Sequence, residues 1–330
     1  MPCYLGQRMS TDISQRQKYL GKKGLVLFIA ALTAFPALST DLYLPALPGM
    51  TAYFDVPEYQ TNLTLILFFV FFAVAILLWG PLSDRFGRKP TLLLGLSLYT
   101  LAGALCAIST DVFQLMVFRV LQALGTGAAV ANATAIVKDV YAGRKREITL
   151  AIVQTMTILS PAVAPVVGAL ILRLTSWRGT FVAQAILGFL VLVGAAVYRE
   201  TVPGRLTGNP LASLKRLGWV LKNRVFALML FNFSLISMAG LAFIASSSYI
   251  YEVDFGLSSQ AYSLFFALFA VGLAVGAPLY VLISRRLERT SIIAWCFGAS
   301  VVSGLLVLLV GPSGPWAMVL SILPLSIAMG

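Results

Sequence analysis

Histidine is absent from all 330 residues, and cysteine occurs only three times. Without histidine, no imidazole base, imidazole proton relay or histidine metal ligand can operate in this stretch of chain. Cys3, Cys106 and Cys296 stand far apart, two of them inside apolar runs, which offers neither a disulfide framework nor a thiolate metal site. Charge is scarce as well. Only 11% of residues are charged against 59% hydrophobic, with a mean hydropathy of +0.90, and this excludes an ordinary globular domain. The phosphate-cradling pattern G-x-x-x-x-G-K-[ST] is missing, which argues against a self-contained ATP-driven pump. No catalytic dyad or metal-ligand cluster is visible, so an enzyme is a distant alternative and no cofactor is expected.

What is present is apolar sequence in long runs. Stretches of ~20 apolar residues match a hydrocarbon slab of ~30 Å, across which helices satisfy their own backbone hydrogen bonds. The pattern predicts an all-α integral membrane protein with ten spans, near 25–48, 61–80, 91–109, 113–135, 149–172, 180–198, 225–249, 261–283, 291–310 and 316–330. Cations test that assignment. Of the 24 Lys and Arg, 21 fall in the N-terminal tail and in every second turn thereafter, whereas the opposite turns hold only Arg173 and Arg178. The positive-inside rule then places the N-terminus of this multi-pass protein in the cytoplasm. The net charge of +12 punctuates the spans instead of forming one basic face, so no nucleic-acid partner is expected. Lys22, Lys23 and the following apolar run resemble a secretory signal, but nine further spans make a retained first helix the reading adopted.

The longest polar stretch, Arg199 to Arg224, divides the chain. The expected organisation is a cytoplasmic tail over 1–24, a six-helix bundle over 25–198, a cytoplasmic linker over 199–224, and a four-helix bundle over 225–330. The linker carries a surface helix expected around 211–222. Shifting the sequence by 200 residues sets Arg85 and Lys89 against Arg285 and Arg289, a faint internal repeat. Two six-span halves are a known transporter architecture, which leads us to expect two further spans beyond residue 330.

Of the twelve acids, six fall on the cytoplasmic side, five, including Glu252 and Asp254, on the outer side, and only Asp41 inside a span. Asp41 and Arg119 are the two intramembrane charges, each costing ~2.5 to 3.5 kcal/mol at a helix centre. Such residues are functional candidates. The plainer readings are an interfacial cap for Asp41, where Pro45 and Pro48 loosen the helix, and a structural counterion or a snorkelling side chain for Arg119. In the absence of histidine, proton coupling must use a carboxylate, and Asp41 is the candidate carrier. Phe68, Phe69, Phe71 and Phe72 cover all sides of their helix and read as lipid-facing. Gln122, Asn132, Gln154, Phe226 and Asn232, with Phe231 and Phe233, are candidate walls of a central cavity.

Four segments carry a family resemblance. Gly80, Asp84, Arg85, Gly87, Arg88 and Lys89 match the major facilitator signature G-x-x-x-D-R-x-G-R-[RK]. Arg119, Gln122 and Gly125 resemble that family's R-x-x-Q-G-x-G, with Ala123 in place of a glycine. Pro161, Ala164, Pro165, Gly168 and Ala169 resemble the fifth-span antiporter motif, with Ala164 and Ala169 replacing glycines. Thr40 to Pro48, TDLYLPALP, is similar to the first span of the bicyclomycin and chloramphenicol resistance subgroup of drug:proton antiporters.

The resemblance implies a six-plus-six major facilitator fold that exports small hydrophobic drugs in exchange for protons by alternating access, with the proton gradient as its energy source and the lipid bilayer as its surroundings. The runner-up is a proton-coupled solute symporter on the same fold. It implies further that Arg88 pairs with Asp139, that Asp84 faces the end of an eleventh span, that the fifth span seals the two halves, and that Trp177, Arg178 and Phe181 form an outer anchor. A monomer is expected. Ordinary tight packing is the plainer account of the fifth-span small residues.

Overall fold

A computed structural model describes residue 17, residues 19–202, 218–219 and 221–330. Cys3, most of the N-terminal tail, and most of the linker with its expected surface helix lie outside the described residues. Among the described residues every regular element is helical. The first span is broken. It comprises α1 (Gly21–Thr40), a turn at 41–43, a 3₁₀ turn (Leu44–Ala46) and α2 (Leu47–Phe54). Pro45 cannot donate to the carbonyl of Asp41, nor Pro48 to that of Leu44, so the helix unwinds where the sequence reads DLYLP. There follow α3 (Glu58–Phe86), α4 (Arg88–Ala107), α5 (Val112–Val140), α6 (Gly143–Leu174) and α7 (Trp177–Val197). The second half holds α8 (Arg224–Tyr249), which continues through a π turn (Ile250–Asp254), then α9 (Ser259–Ile283), α10 (Arg289–Leu309) and α11 (Pro315–Met329).

Nine of these spans are long and apolar enough to cross a membrane, which makes this a multi-pass membrane protein; α11, at 15 residues, is apolar but shorter. Side-chain caps fix several helix starts. Asp111 accepts from the Gln114 amide at 2.9 Å, Ser258 from that of Ala261 at 3.3 Å, and Asn223 from those of Val225 and Phe226.

Two expected boundaries move. The loop anticipated over Gly80 to Pro90 shrinks to one residue, because α3 runs to Phe86 and α4 starts at Arg88. Gly87 makes this possible with a φ of +105°, a conformation that penalises any Cβ, and the Glu200 carboxylate occupies the space a Cβ would need. The seventh span continues to Asp254, so Glu252, expected in outer water, belongs to a packed turn, where its Oε2 accepts from Ser259 Oγ at 2.6 Å.

The packing has two centres. One joins Leu25, Phe28, Leu92, Leu96, Val137 and Tyr198 at the cation-rich end of the first half. The other, at the opposite end, runs through both halves and includes Tyr43, Leu47, Trp177, Tyr249, Tyr262 and Met318. There Tyr249 Oη lies 2.8 Å from Thr51 Oγ1 and 2.7 Å from Thr61 Oγ1, tying α8 to the first two spans. Helix α6 is the shared element, packed on α1 in its own half and on α9 in the other.

Candidate functional site

The unwound first span sets the site. Asp41 lies well inside a span of 34 residues and is only 4% exposed, so it is not the interfacial cap that its prolines suggested. Among the described residues its carboxyl has one hydrogen-bond partner, Thr40 Oγ1, which stands 2.9 Å from Asp41 Oδ1 and also 2.9 Å from the Pro36 carbonyl oxygen. One hydroxyl proton serves both. No cation lies within 4.0 Å of Asp41 among the described residues.

Arg119, on α5, is fully buried. Its Nη1 donates to the Ser39 carbonyl oxygen at 2.9 Å and to Gln122 Oε1 at 2.6 Å. Gln122 Nε2 then donates to Gln184 Oε1 on α7 at 2.9 Å, so a polar chain crosses three spans. The guanidinium lies over the rings of Phe68 at 4.2 Å and Tyr43 at 4.5 Å, with Phe181 at 5.8 Å. Aromatic faces surround the guanidinium and no carboxylate lies within 4.0 Å among the described residues, so Arg119 is not paired as the structural counterion of the plainer reading. Phe68 is therefore turned inward and fully buried, and the lipid-facing reading fails for it. Its neighbours gave no sequence signal to separate it, since only the α3–α5 contact selects one face. Gln184 and Tyr43 were likewise missed. An isolated glutamine in an apolar run was the available clue for Gln184.

The antiporter-motif residues meet this site through α6. Ala164, Pro165, Gly168 and Ala169 are buried on one face, with Pro161 half-buried, and a Cβ at Gly168 would strike the backbone carbonyl of Leu42 in the unwound segment. Gln260 Nε2 of α9 reaches the Ala169 carbonyl oxygen at 3.4 Å, which brings the second half to the same turn.

A second polar cluster lies at the cation-rich end of the first half. Arg88 Nη1 donates to Asp84 Oδ1 and Ser83 Oγ, both at 2.6 Å, and its Nε to Asp139 Oδ2 at 2.8 Å. Glu200, which follows the sixth span and was not singled out, accepts from the backbone amides of Arg88 at 3.0 Å and Lys89 at 3.1 Å. It caps the first turn of α4 from 112 residues away. Lys89 Nζ donates to the Ala196 carbonyl oxygen at 2.6 Å, while Arg85 is exposed beside Phe86. Gly80 sits within α3 with open space beside it.

The cavity-wall candidates do not share one cavity. Gln122 belongs to the Arg119 chain. Asn132 is consumed in packing, since Oδ1 accepts from Ser83 at 2.7 Å and from Thr91 at 3.2 Å. Gln154 and Phe226 are exposed, and Phe231 is too. Asn232 and Phe233 line a 990 Å³ cavity between α8, α9, α10 and α11. The expected aromatic anchor also differs. Trp177 is only 5% exposed and packs on Tyr53, Phe54 and Phe181, with the Arg178 guanidinium 4.2 Å above its ring.

Comparison with known proteins extends these observations. The family model of the Major Facilitator Superfamily matches residues 27–330. The uncharacterised MFS-type transporter YdgK of Bacillus subtilis is 30% identical over 78% of this chain and 66% of its own length. Multidrug resistance protein MdtL of Salmonella paratyphi B is 29% identical over 76% of this chain and 63% of its own. The chain thus spans about two thirds of the length of the curated relatives it matches. Among solved structures, a bacterial homologue of the human lysosomal transporter Spinster, inward-facing and unoccupied, superimposes with a TM-score of 0.71 at 17% identity, covering 93% of this chain and 73% of that one. A D-xylose–proton symporter gives 0.63 at 15% identity, covering 92% and 80%. These two likenesses concern the fold.

Proposed function

We propose, from the premise that this chain belongs to the Major Facilitator Superfamily, that the complete protein exports small hydrophobic drugs in exchange for protons across a bacterial-type inner membrane. The name of MdtL supports drug efflux, and TDLYLPALP supports the bicyclomycin and chloramphenicol resistance subgroup. One observation carries the coupling. Asp41 is a buried carboxyl at a helix break, with a single shared hydroxyl partner and no cation beside it. Its charge is uncompensated when the site is closed and solvated when the site is open, so opening to opposite sides loads and releases a proton. An inward-moving proton gains ~2.3 kcal/mol per 100 mV of inside-negative potential, enough to drive a solute outward. Proton and substrate exclude one another at Asp41.

The remaining residues turn occupancy into motion. Arg119 and Gln122 tie the unwound segment to α5, so a change at Asp41 moves that strand of polar contacts. Helix α6 presses Gly168 on Leu42 and meets α9, which transmits the movement to the second half. The Arg88 cluster, with Asp84, Asp139 and the Glu200 cap, is the cytoplasmic latch. A symporter on the same fold would use the same parts with substrate and proton bound together.

Drug accumulation in cells expressing the full-length protein separates the readings. Export predicts lowered accumulation that a protonophore restores, and Asp41→Asn should abolish that lowering while the protein still inserts. Accumulation raised by the protein, or undiminished export by Asp41→Asn, would refute the export scheme.

A further inference from the structure

The polar chain through Arg119 is unbalanced, because each of its side-chain acceptors already takes a hydrogen bond while three donor nitrogens remain unmatched. Arg119 Nε and Nη2 are buried with no acceptor in good hydrogen-bond geometry, the Tyr43 hydroxyl being a side-chain oxygen that approaches the guanidinium, and Gln184 Nε2 at the other end of the chain is buried without a partner. Trp177 Nε1, whose ring stacks edge-on with Phe181 at 6.1 Å, is a further buried donor without a partner. Buried N–H groups in proteins are ordinarily matched, so unmatched donors linked through one polar chain call for an acceptor. The surroundings specify the rest. Phe68, Tyr43 and Phe181 provide flat apolar faces around the guanidinium. No carboxylate lies within 4.0 Å of Arg119 among the described residues, and Asp41, the one acid of this core, balances at most the one cation already present.

We propose that Arg119 and Gln184 form a subsite for a hydrogen-bond acceptor group, such as a carbonyl, nitro or carboxylate group on a flat apolar body, and that it discriminates against permanently cationic substrates. The acceptor replaces a ring contact at the guanidinium and takes the N–H groups of Arg119 Nε and Nη2, with Gln184 Nε2 supplying a donor from α7. A quaternary cation brings no acceptor and adds a second positive charge. This deepens the export reading above and rests on it for the identity of the ligand as cargo.

The test is equilibrium binding to the purified full-length protein in lipid nanodiscs, without a proton gradient. The probes are radiolabelled chloramphenicol, neutral with nitro, amide and hydroxyl oxygens, and tetraphenylphosphonium, a permanent cation. The wild type should prefer chloramphenicol at least tenfold. Gln184→Leu should weaken chloramphenicol about tenfold without helping the cation. Gln184→Glu, which replaces the donor by an acidic acceptor, should reverse the preference, a change that general damage cannot produce. Equal or tighter binding of tetraphenylphosphonium by the wild type overturns the proposal and needs no variant to be read. An unchanged preference in Gln184→Glu also overturns it, and would mean that the free donors hold internal water only. Loss of the protonophore effect in cells with the binding preference intact would refute the export reading and leave the subsite standing.

Discussion

Arg88 and Arg119 are both buried, at 6% and 0% exposure, yet the protein treats them in opposite ways. Arg88 has its guanidinium engaged by two carboxylates and a hydroxyl. Arg119 spends one nitrogen on a carbonyl and an amide and faces aromatic rings elsewhere. A saturated cation holds two helix ends together, because moving them strands charge in a poorly solvated place. A cation with spare donors costs stability and keeps capacity for something that arrives later. On the proposals above, one arginine serves as a latch and the other as a reader of cargo.

The largest expected effect comes from removing each charge in turn. Arg88→Met leaves Asp139 and Asp84 without their partner and should lower stability by about 3 kcal/mol, as for a broken buried pair. Arg119→Met removes a buried cation that no carboxylate balances, so its melting temperature in detergent should equal or exceed that of the wild type while drug export is lost. Thermal unfolding followed by size-exclusion chromatography reads both. Equal destabilisation by the two variants would erase the contrast.

A smaller effect separates the two acids of the latch. The Asp139 side chain is 13% exposed and accepts two bonds from Arg88, whereas Asp84 is 42% exposed and accepts one. Asp139→Asn should therefore cost about 2 kcal/mol and Asp84→Asn less than about 1 kcal/mol, since exposed pairs are weakened by solvent. The reverse order in the same unfolding measurement would show that the partly exposed acid carries the latch.

The smallest effect belongs to Glu200. Gln retains an acceptor for one of the two amides but loses the charge that favours a helix N-terminus, so Glu200→Gln should cost about 0.5–1 kcal/mol and Glu200→Ala more. Hydrogen exchange at the amides of Arg88 and Lys89 gives the local readout, and unchanged protection in Glu200→Ala would remove the cap from the account.

Spans, their boundaries to within several residues, the intramembrane positions of Asp41 and Arg119, and the alternation of cations were legible in the linear chain. Each is local: hydrocarbon demands runs of apolar residues, and a charge inside such a run is visible wherever it sits. The break at DLYLP belongs to the same class, since Pro45 and Pro48 lack the donors a helix needs. Tertiary structure alone decided who partners whom. That Phe68 covers Arg119 while its neighbouring phenylalanines do not, that Glu200 caps a helix 112 residues earlier, that Asp41 has no cation within 4.0 Å among the described residues, and that Asn132 is spent between α3 and α4 are all consequences of which helix faces meet. Mean hydropathy is nearly blind to that choice, because in lipid an apolar face satisfies bilayer and neighbour alike, and the difference lies in close packing and in the few polar atoms that must find each other.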